Sequence, residues 1–142
     1  MTDLPAALQQ AEQEGKLVLV DFTGSDWCSA CIVLRRTVLD TPEFREFAAG
    51  KFVLMEVDLP MKEGMNPELR RRNEEIAKRY GVGGFPTVMV LDPQGRVMGL
   101  VFLHICLGGR RRGRRRINVE AFCHILQAPA LFVTHIFRVE RL

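Results

Sequence analysis

The chain is poor in the features that would make it a membrane protein, an obvious export substrate or a metal scaffold. No apolar run reaches the roughly 20 residues that a membrane-spanning helix needs. The first sixteen residues, MTDLPAALQQAEQEGK, carry Asp3, Glu12 and Glu14 where a secretory leader would have a basic start and an apolar centre. As written, the chain is therefore expected to be soluble and cytoplasmic. A periplasmic or secreted location is the alternative if the sequence starts at a mature N-terminus, where a leader would be invisible. No internal repeat and no domain linker divides it. Cysteine is scarce, with four in 142 residues, and only Cys28 and Cys31 stand close together. What remains is an ordinary ordered composition, 47% hydrophobic and 26% charged, long enough to bury one core.

Charge is unevenly spread. Residues 1–100 carry 12 Lys and Arg against 15 Asp and Glu, a net of −3, whereas residues 101–142 carry 8 Arg against 2 Glu, a net of +6. Six arginines fall within Arg110–Arg116, RRRGRRR. Such a run attracts phosphate without specificity. No aromatic platform or recognition helix accompanies it, so a solvated basic loop is the plainer expectation and no specific nucleic-acid partner is expected.

Hydrophobic spacing divides the first hundred residues into elements. Leu4, Ala7, Leu8 and Ala11 recur at helical intervals and Gly15 ends that helix. KLVLVDF is short, apolar and rich in Val and Leu, which predicts a buried strand. TGSDW turns the chain. A helix is predicted from Cys28 to about Leu39, burying Cys31, Leu34 and Val38, with Ser25 or Asp26 as its cap. TPEFREFAAG predicts a short helix capped by Thr41, and KFVLMEVDL a second strand. PELRRRNEEIAKRY predicts a helix with Leu69, Ile76 and Tyr80 inward. PTVMVLD, the PQG turn and RVMGLVFL predict an antiparallel hairpin. Helical crossovers together with a hairpin imply an α/β fold, a mixed sheet with helices on its faces.

The pair in WCSAC, Trp27–Cys31, admits three readings. A zinc site needs about four ligands, and the remaining candidates, His104, Cys106, Cys123 and His124, are poorly spaced for one. A structural staple across so short a loop removes little unfolded-chain entropy. A redox couple has a mechanism. Cys28 falls at the start of the predicted helix, where first-turn N–H groups stabilise a thiolate. Cys31 lies one turn in and more buried. Cys28 would attack a partner disulfide, and Cys31 would then attack Cys28 and release the reduced partner.

LVLVDFTGSDWCSAC, followed at a distance by YGVGGFPTVMVLD, resembles the strand, active-site helix and second signature of the thioredoxin superfamily. The resemblance covers roughly residues 4–100. It implies a thioredoxin-like domain over residues 1–100, with a central mixed β-sheet flanked by helices, and a thiol–disulfide oxidoreductase of the reductase or isomerase type. Protein disulfides or dithiols would be its substrates, and an upstream thiol reductase or oxidase its redox partner. No metal and no cofactor beyond the Cys28–Cys31 disulfide is implied. By the same resemblance Cys28 is the nucleophile and Cys31 the resolving thiol. Pro86 takes the place of the cis-proline, with Phe85 and Thr87 beside it offering contacts to the partner chain. Asp21 takes the place of the buried carboxylate that accepts the Cys31 proton, against the alternative of a solvent-facing strand-end residue. Trp27 is either a lid or plain packing. Ser29-Ala30, between the cysteines, carries no positive charge, which favours a reductase or exchange role over a dedicated oxidase. A non-enzymatic peptide-binding or chaperone-like domain on the same scaffold is the alternative function.

Residues 101–142 depart from that family. NVEAFCHIL, Asn118–Leu126, can form an amphipathic turn or two, and ALFVTHIF reads as an apolar strand without a family counterpart. Two explanations compete: a genuine Arg-rich extension that touches acidic surfaces, or a change of reading frame near Gly99. Cys106 and Cys123 are expected as free thiols, and His104, His124 and His135 as packing or surface residues.

Overall fold

The computed structural model describes residues 1–62 and 66–102. The readings for the Arg-rich tail, including Cys106, Cys123 and the three histidines, lie outside the described residues.

The element order is α1 (Leu4–Glu14), β1 (Leu17–Thr23), α2 (Ser29–Leu34, continued as a π-helical turn over Arg35–Leu39), α3 (Pro42–Ala49), β2 (Phe52–Asp58), α4 (Pro67–Arg79), β3 (Thr87–Leu91) and β4 (Val97–Phe102). The strands form one mixed sheet in the order β2-β1-β3-β4. β1 and β2 run parallel, whereas β1–β3 and β3–β4 are antiparallel. This is the α/β thioredoxin fold that the sequence predicts.

Period-two alternation sorts the strand side chains onto two faces. Val18, Val20, Phe22, Val53, Met55, Val57, Met89 and Leu91 pack with Leu4, Ala7 and Ala11 of α1 and Ala77 of α4. Leu19, Phe52, Val88 and Val90 pack with Leu34, Val38, Phe44 and Ala48 on the opposite face. Both faces of β1 are covered, which is why its apolar run is continuous. Each fully buried Phe, Leu or Val on these faces stabilises the fold by about 1.5–3 kcal/mol.

Caps and turns fix the ends. Asp3 accepts from the Ala6 N–H at the start of α1, and Gly15 closes it at φ 63°. Thr41 caps α3 as expected, and Asn66 caps α4. In the β3–β4 turn Gly95 N–H donates to Asp92 O at 2.9 Å, with Gly95 at φ 78°.

Two expectations are corrected. The helix over 28–39 is not one regular α-helix: its second half widens, with Asp40 N–H donating to Arg35 O five residues back at 2.9 Å. Cys31, Leu34 and Val38 are nevertheless buried, as predicted. On α4 and its C-cap, Ile76 and Tyr80 pack against the core as expected, but they and Leu69 are only half-buried, and the deepest positions are Asn73 and Ala77. Asn73 goes inward because its Nδ2 donates to Asp58 O at 2.8 Å, a polar anchor that an apolar pattern does not register.

Candidate active site

The loop between β1 and α2 is held by a short segment that follows β2. Ser25 donates from its N–H and Oγ to the Asp58 carboxylate at 2.9 and 2.6 Å. Asp26 accepts from the Met61 and Lys62 N–H groups at 3.0 and 2.7 Å. Trp27 Nε1 donates to Leu59 O at 2.9 Å. Three consecutive side chains thus tie the loop to the segment 58–62. Gly24 makes room for the indole: a Cβ there would clash with the Trp27 ring at Cε2.

Neither Ser25 nor Asp26 caps the helix, contrary to the expectation. Both carboxylate and hydroxyl are drawn instead to unpaired groups on 58–62, and Cys28 itself is the cap. Its Sγ accepts the Cys31 N–H at 3.2 Å. That donor is aimed at the sulfur that would carry negative charge after reduction.

Cys28 and Cys31 are joined as a disulfide, with S–S 2.09 Å and Cα–Cα 5.2 Å. Both are buried, Cys31 more deeply at 3% exposure against 7% for Cys28. Phe85 packs on Cys28, Ala30 and Cys31. The Trp27 ring meets Phe85 edge-on at 5.6 Å and is itself 41% exposed. The Phe85–Pro86 peptide is cis, and Pro86 is fully buried. Thr87 opens β3 from a buried position and donates from Oγ1 to Gly84 O at 2.7 Å. Cys28, Cys31, Trp27, Phe85 and Pro86 therefore come together from two segments more than fifty residues apart.

Asp21 lies on β1 on the same face as Leu19, buried, with Oδ1 lacking any partner. Desolvation pushes its carboxyl up to about 6, reinforced by the nearby Asp58 charge and opposed by Arg35. It borders a cavity of about 270 Å³ that Arg35 and Glu56 also line. Arg35 and Glu56 form an ion pair, and Glu56 is the residue of β2 directly opposite Asp21. Asp26 behaves in the reverse sense: the Met61 and Lys62 N–H groups hold its carboxyl below the usual range. Ser25, Arg35, Glu56 and Asp58 were not legible as site residues, because the members of each pair lie 33 and 21 residues apart in the chain. No cluster of three potential metal-ligating side chains occurs among the described residues.

Comparison with known proteins agrees with this geometry. Residues 1–93 match the thioredoxin-like family. The chain belongs to that family. Among curated thioredoxin-like relatives, the disulfide bond reductase DsbH of Chlamydia pneumoniae is 38% identical over 90 residues, covering 63% of this chain and 54% of the relative. A thiol:disulfide interchange protein DsbD of Cronobacter sakazakii is 32% identical over 105 residues, covering 70% of this chain and 16% of the relative. The chain thus spans about half the length, or less, of these relatives. A solved DsbH oxidoreductase superposes with TM-score 0.72 at 29% identity, covering 89% of this chain and 81% of that one.

The relatives also correct the cytoplasmic expectation. DsbH and DsbD proteins are periplasmic or membrane-associated. A cleaved leader or an anchor outside the matched domain leaves no trace in a thioredoxin-like domain, so the acidic start of this chain was no guide to compartment. Among the described residues no helix is long and apolar enough to cross a membrane.

Proposed function

We propose that the chain is a thiol–disulfide oxidoreductase that reduces or exchanges disulfides in partner proteins outside the cytoplasm. The observation that carries this reading is the Cys28–Cys31 disulfide at a helix start, packed against Phe85 and overlooked by Trp27, with the buried Asp21 carboxyl on the strand leading into it.

In the reduced protein, the Cys28 thiolate attacks one sulfur of the partner's disulfide. A mixed disulfide forms and the other partner sulfur leaves as a thiolate. Cys31 gives its proton to Asp21 and attacks Cys28 Sγ, forming the intramolecular disulfide and freeing the second partner sulfur. Two electrons pass to the partner, and its two leaving thiolates become thiols by taking one proton returned from Asp21 and one from solvent. An upstream thiol reductase returns Cys28 and Cys31 to the dithiol. Phe85 and Pro86 sit beside the reacting sulfurs and bear on the partner backbone, while the exposed edge of Trp27 gives that surface an apolar border.

A reductive direction is supported by the uncharged Ser29-Ala30 between the cysteines and by the likeness to a disulfide bond reductase. Equilibration with thiol buffers tests it. A potential near about −270 mV marks a reducing donor, whereas about −180 to −120 mV marks an isomerase or oxidant.

Catalysis of insulin reduction tests the activity itself, and a Cys31→Ser variant should accumulate mixed disulfides with partner proteins. The non-enzymatic alternative rests on the same apolar surface, Trp27 with the exposed Met61 nearby in the clamped segment. It predicts peptide binding without insulin reduction and no trapped species.

A further inference from the structure

The reacting face gathers Cys28, Cys31, Trp27, Phe85 and Pro86. The cavity beside Asp21 lies elsewhere: Arg35, Asp40, Arg45 and Glu56 line it, and none of Cys28, Cys31, Trp27, Phe85 and Pro86 does. Its residues come from β1, β2, the π-helical turn and α3, the elements that pack around Asp21. Asp21 Oδ1 is buried without a hydrogen bond, so desolvation and, after it, nearby charge decide how its proton is held.

The charged groups around it are few, and they include the Met1 terminal ammonium, which lines the cavity and donates to Leu54 O at 3.4 Å. Glu56 stands opposite Asp21 in the β1–β2 register, and Asp58 lies two residues further along β2. Arg35 reaches the cavity from the π-helical turn, one helical turn beyond Cys31, and is tied to Glu56. Asp40 and Arg45 contribute a more exposed pair at 3.4 Å. On the β3 side, Asp21 faces Val88, which carries no charge.

We infer that Arg35, held by Glu56, is a positioning residue of the exchange reaction: across this cavity its cation sets how readily Asp21 accepts and returns the Cys31 proton. This rests on the reading of Asp21 as the proton acceptor given above. The side chain that carries Arg35 grows from the same helical run as Cys31, so the resolving thiol and the cation that governs its base are fixed by one rigid element. The opposed signs of Arg35 and Glu56 make the device adjustable. Loss of the cation strengthens proton binding at Asp21. Loss of Glu56 leaves the cation less neutralised and weakens proton binding.

The experiment uses the full chain carrying Cys106→Ser and Cys123→Ser, so that only the pair reacts. The reduced protein is treated with an aromatic disulfide reagent, and the second release of aromatic thiolate, which reports Cys31 attacking Cys28, is followed from pH 4 to 9. A carboxyl carbon titration of Asp21 by NMR runs in parallel. Arg35→Gln should move both midpoints up by about one pH unit. Arg35→Lys should restore them, and Glu56→Gln should move them down. Asp21→Asn should remove the acidic limb of the profile.

If Asp21→Asn flattens the profile while Arg35→Gln and Glu56→Gln leave the midpoints in place, the role of Arg35 is overturned and Asp21 remains the base. If Asp21→Asn leaves the profile intact, the acceptor reading fails and the role of Arg35 with it. Should Arg35→Gln not fold, the downward movement in Glu56→Gln decides, and its absence overturns the proposal.

Discussion

Asp21 and Asp26 lie five residues apart on either side of the strand-to-loop junction, yet their surroundings drive them in opposite directions. Asp21 sits inside the sheet, between β2 and β3, where neighbouring backbone N–H groups are committed to the strand ladders. Its carboxyl is desolvated, offset only in part by the Arg35 charge, and pushed up to about 6. Asp26 sits at the surface against the irregular segment 61–62, whose N–H groups have no strand partner and turn to the carboxylate. A carboxylate on this stretch is driven towards its protonated form or held ionised as a mechanical clamp according to whether free N–H donors are at hand.

The comparison can be broken at several points. The largest effect belongs to the sulfurs: Cys28→Ser should reduce insulin-reducing activity to background, and in the reduced wild type Cys28 should be alkylated far faster than Cys31. Equal alkylation rates would contradict the thiolate stabilisation at the helix start.

Next comes Asp21. Its folded value, about 6, stands above the ordinary 3.8, so ionising it in the folded state is costly. Any stabilisation from this group is present below pH 4 and is lost as pH rises through 6. Asp21→Asn should therefore raise stability by up to about 3 kcal/mol at pH 8 and by little at pH 3, as read from urea unfolding at the two pH values. A gain that does not vary with pH would show that the carboxyl is not the source.

The loop should be sensitive to shape before charge. Gly24→Ala places a Cβ against the Trp27 ring, which must leave its seat on Leu59 O and Phe85. Overpacking of this kind costs about 1–3 kcal/mol. Tryptophan fluorescence should report the displaced ring, and an unchanged spectrum would mean the loop absorbs the group elsewhere. Asp26→Asn acts in the opposite pH sense to Asp21→Asn. The Asp26 contribution is present above pH 4 and fades as pH falls through its lowered value, so the variant should be less stable than wild type near neutrality and indistinguishable in acid. Smallest of all, Arg71→Ala removes an exposed 4.0 Å pair with Glu75 and should change stability by less than about 0.5 kcal/mol.

Much of the architecture was legible because burial and periodicity are local signals. The run Leu17–Thr23, buried on both faces, could only be an interior strand, and Leu4, Ala7 and Ala11 fell on the buried side of α1 as spaced. The errors have a common cause. Asn73 gives no inward signal on α4 because its position is set by a carbonyl on β2, not by apolarity. Ser25 and Asp26 suggest a cap because capping is the local use of such residues. Their actual partners are 33 to 36 residues away. The wide turn over Arg35–Leu39 leaves the apolar spacing intact, so nothing in the pattern disclosed it.

The amino-acid sequence alone determined the chemistry available to this protein: two cysteines one helical turn apart, a proline and a phenylalanine in a second segment, and the strands and helices that can bury a single core. Those follow from spacing and side-chain type, which act over a few residues. Only the tertiary structure decided which carboxyl faces inward without a partner, which one clamps the loop, and that Arg35 and Glu56 meet beside the first. Burial, strand register and the supply of unpaired N–H groups are set by segments distant in the chain, and electrostatics in a desolvated interior depends on those distances rather than on sequence order.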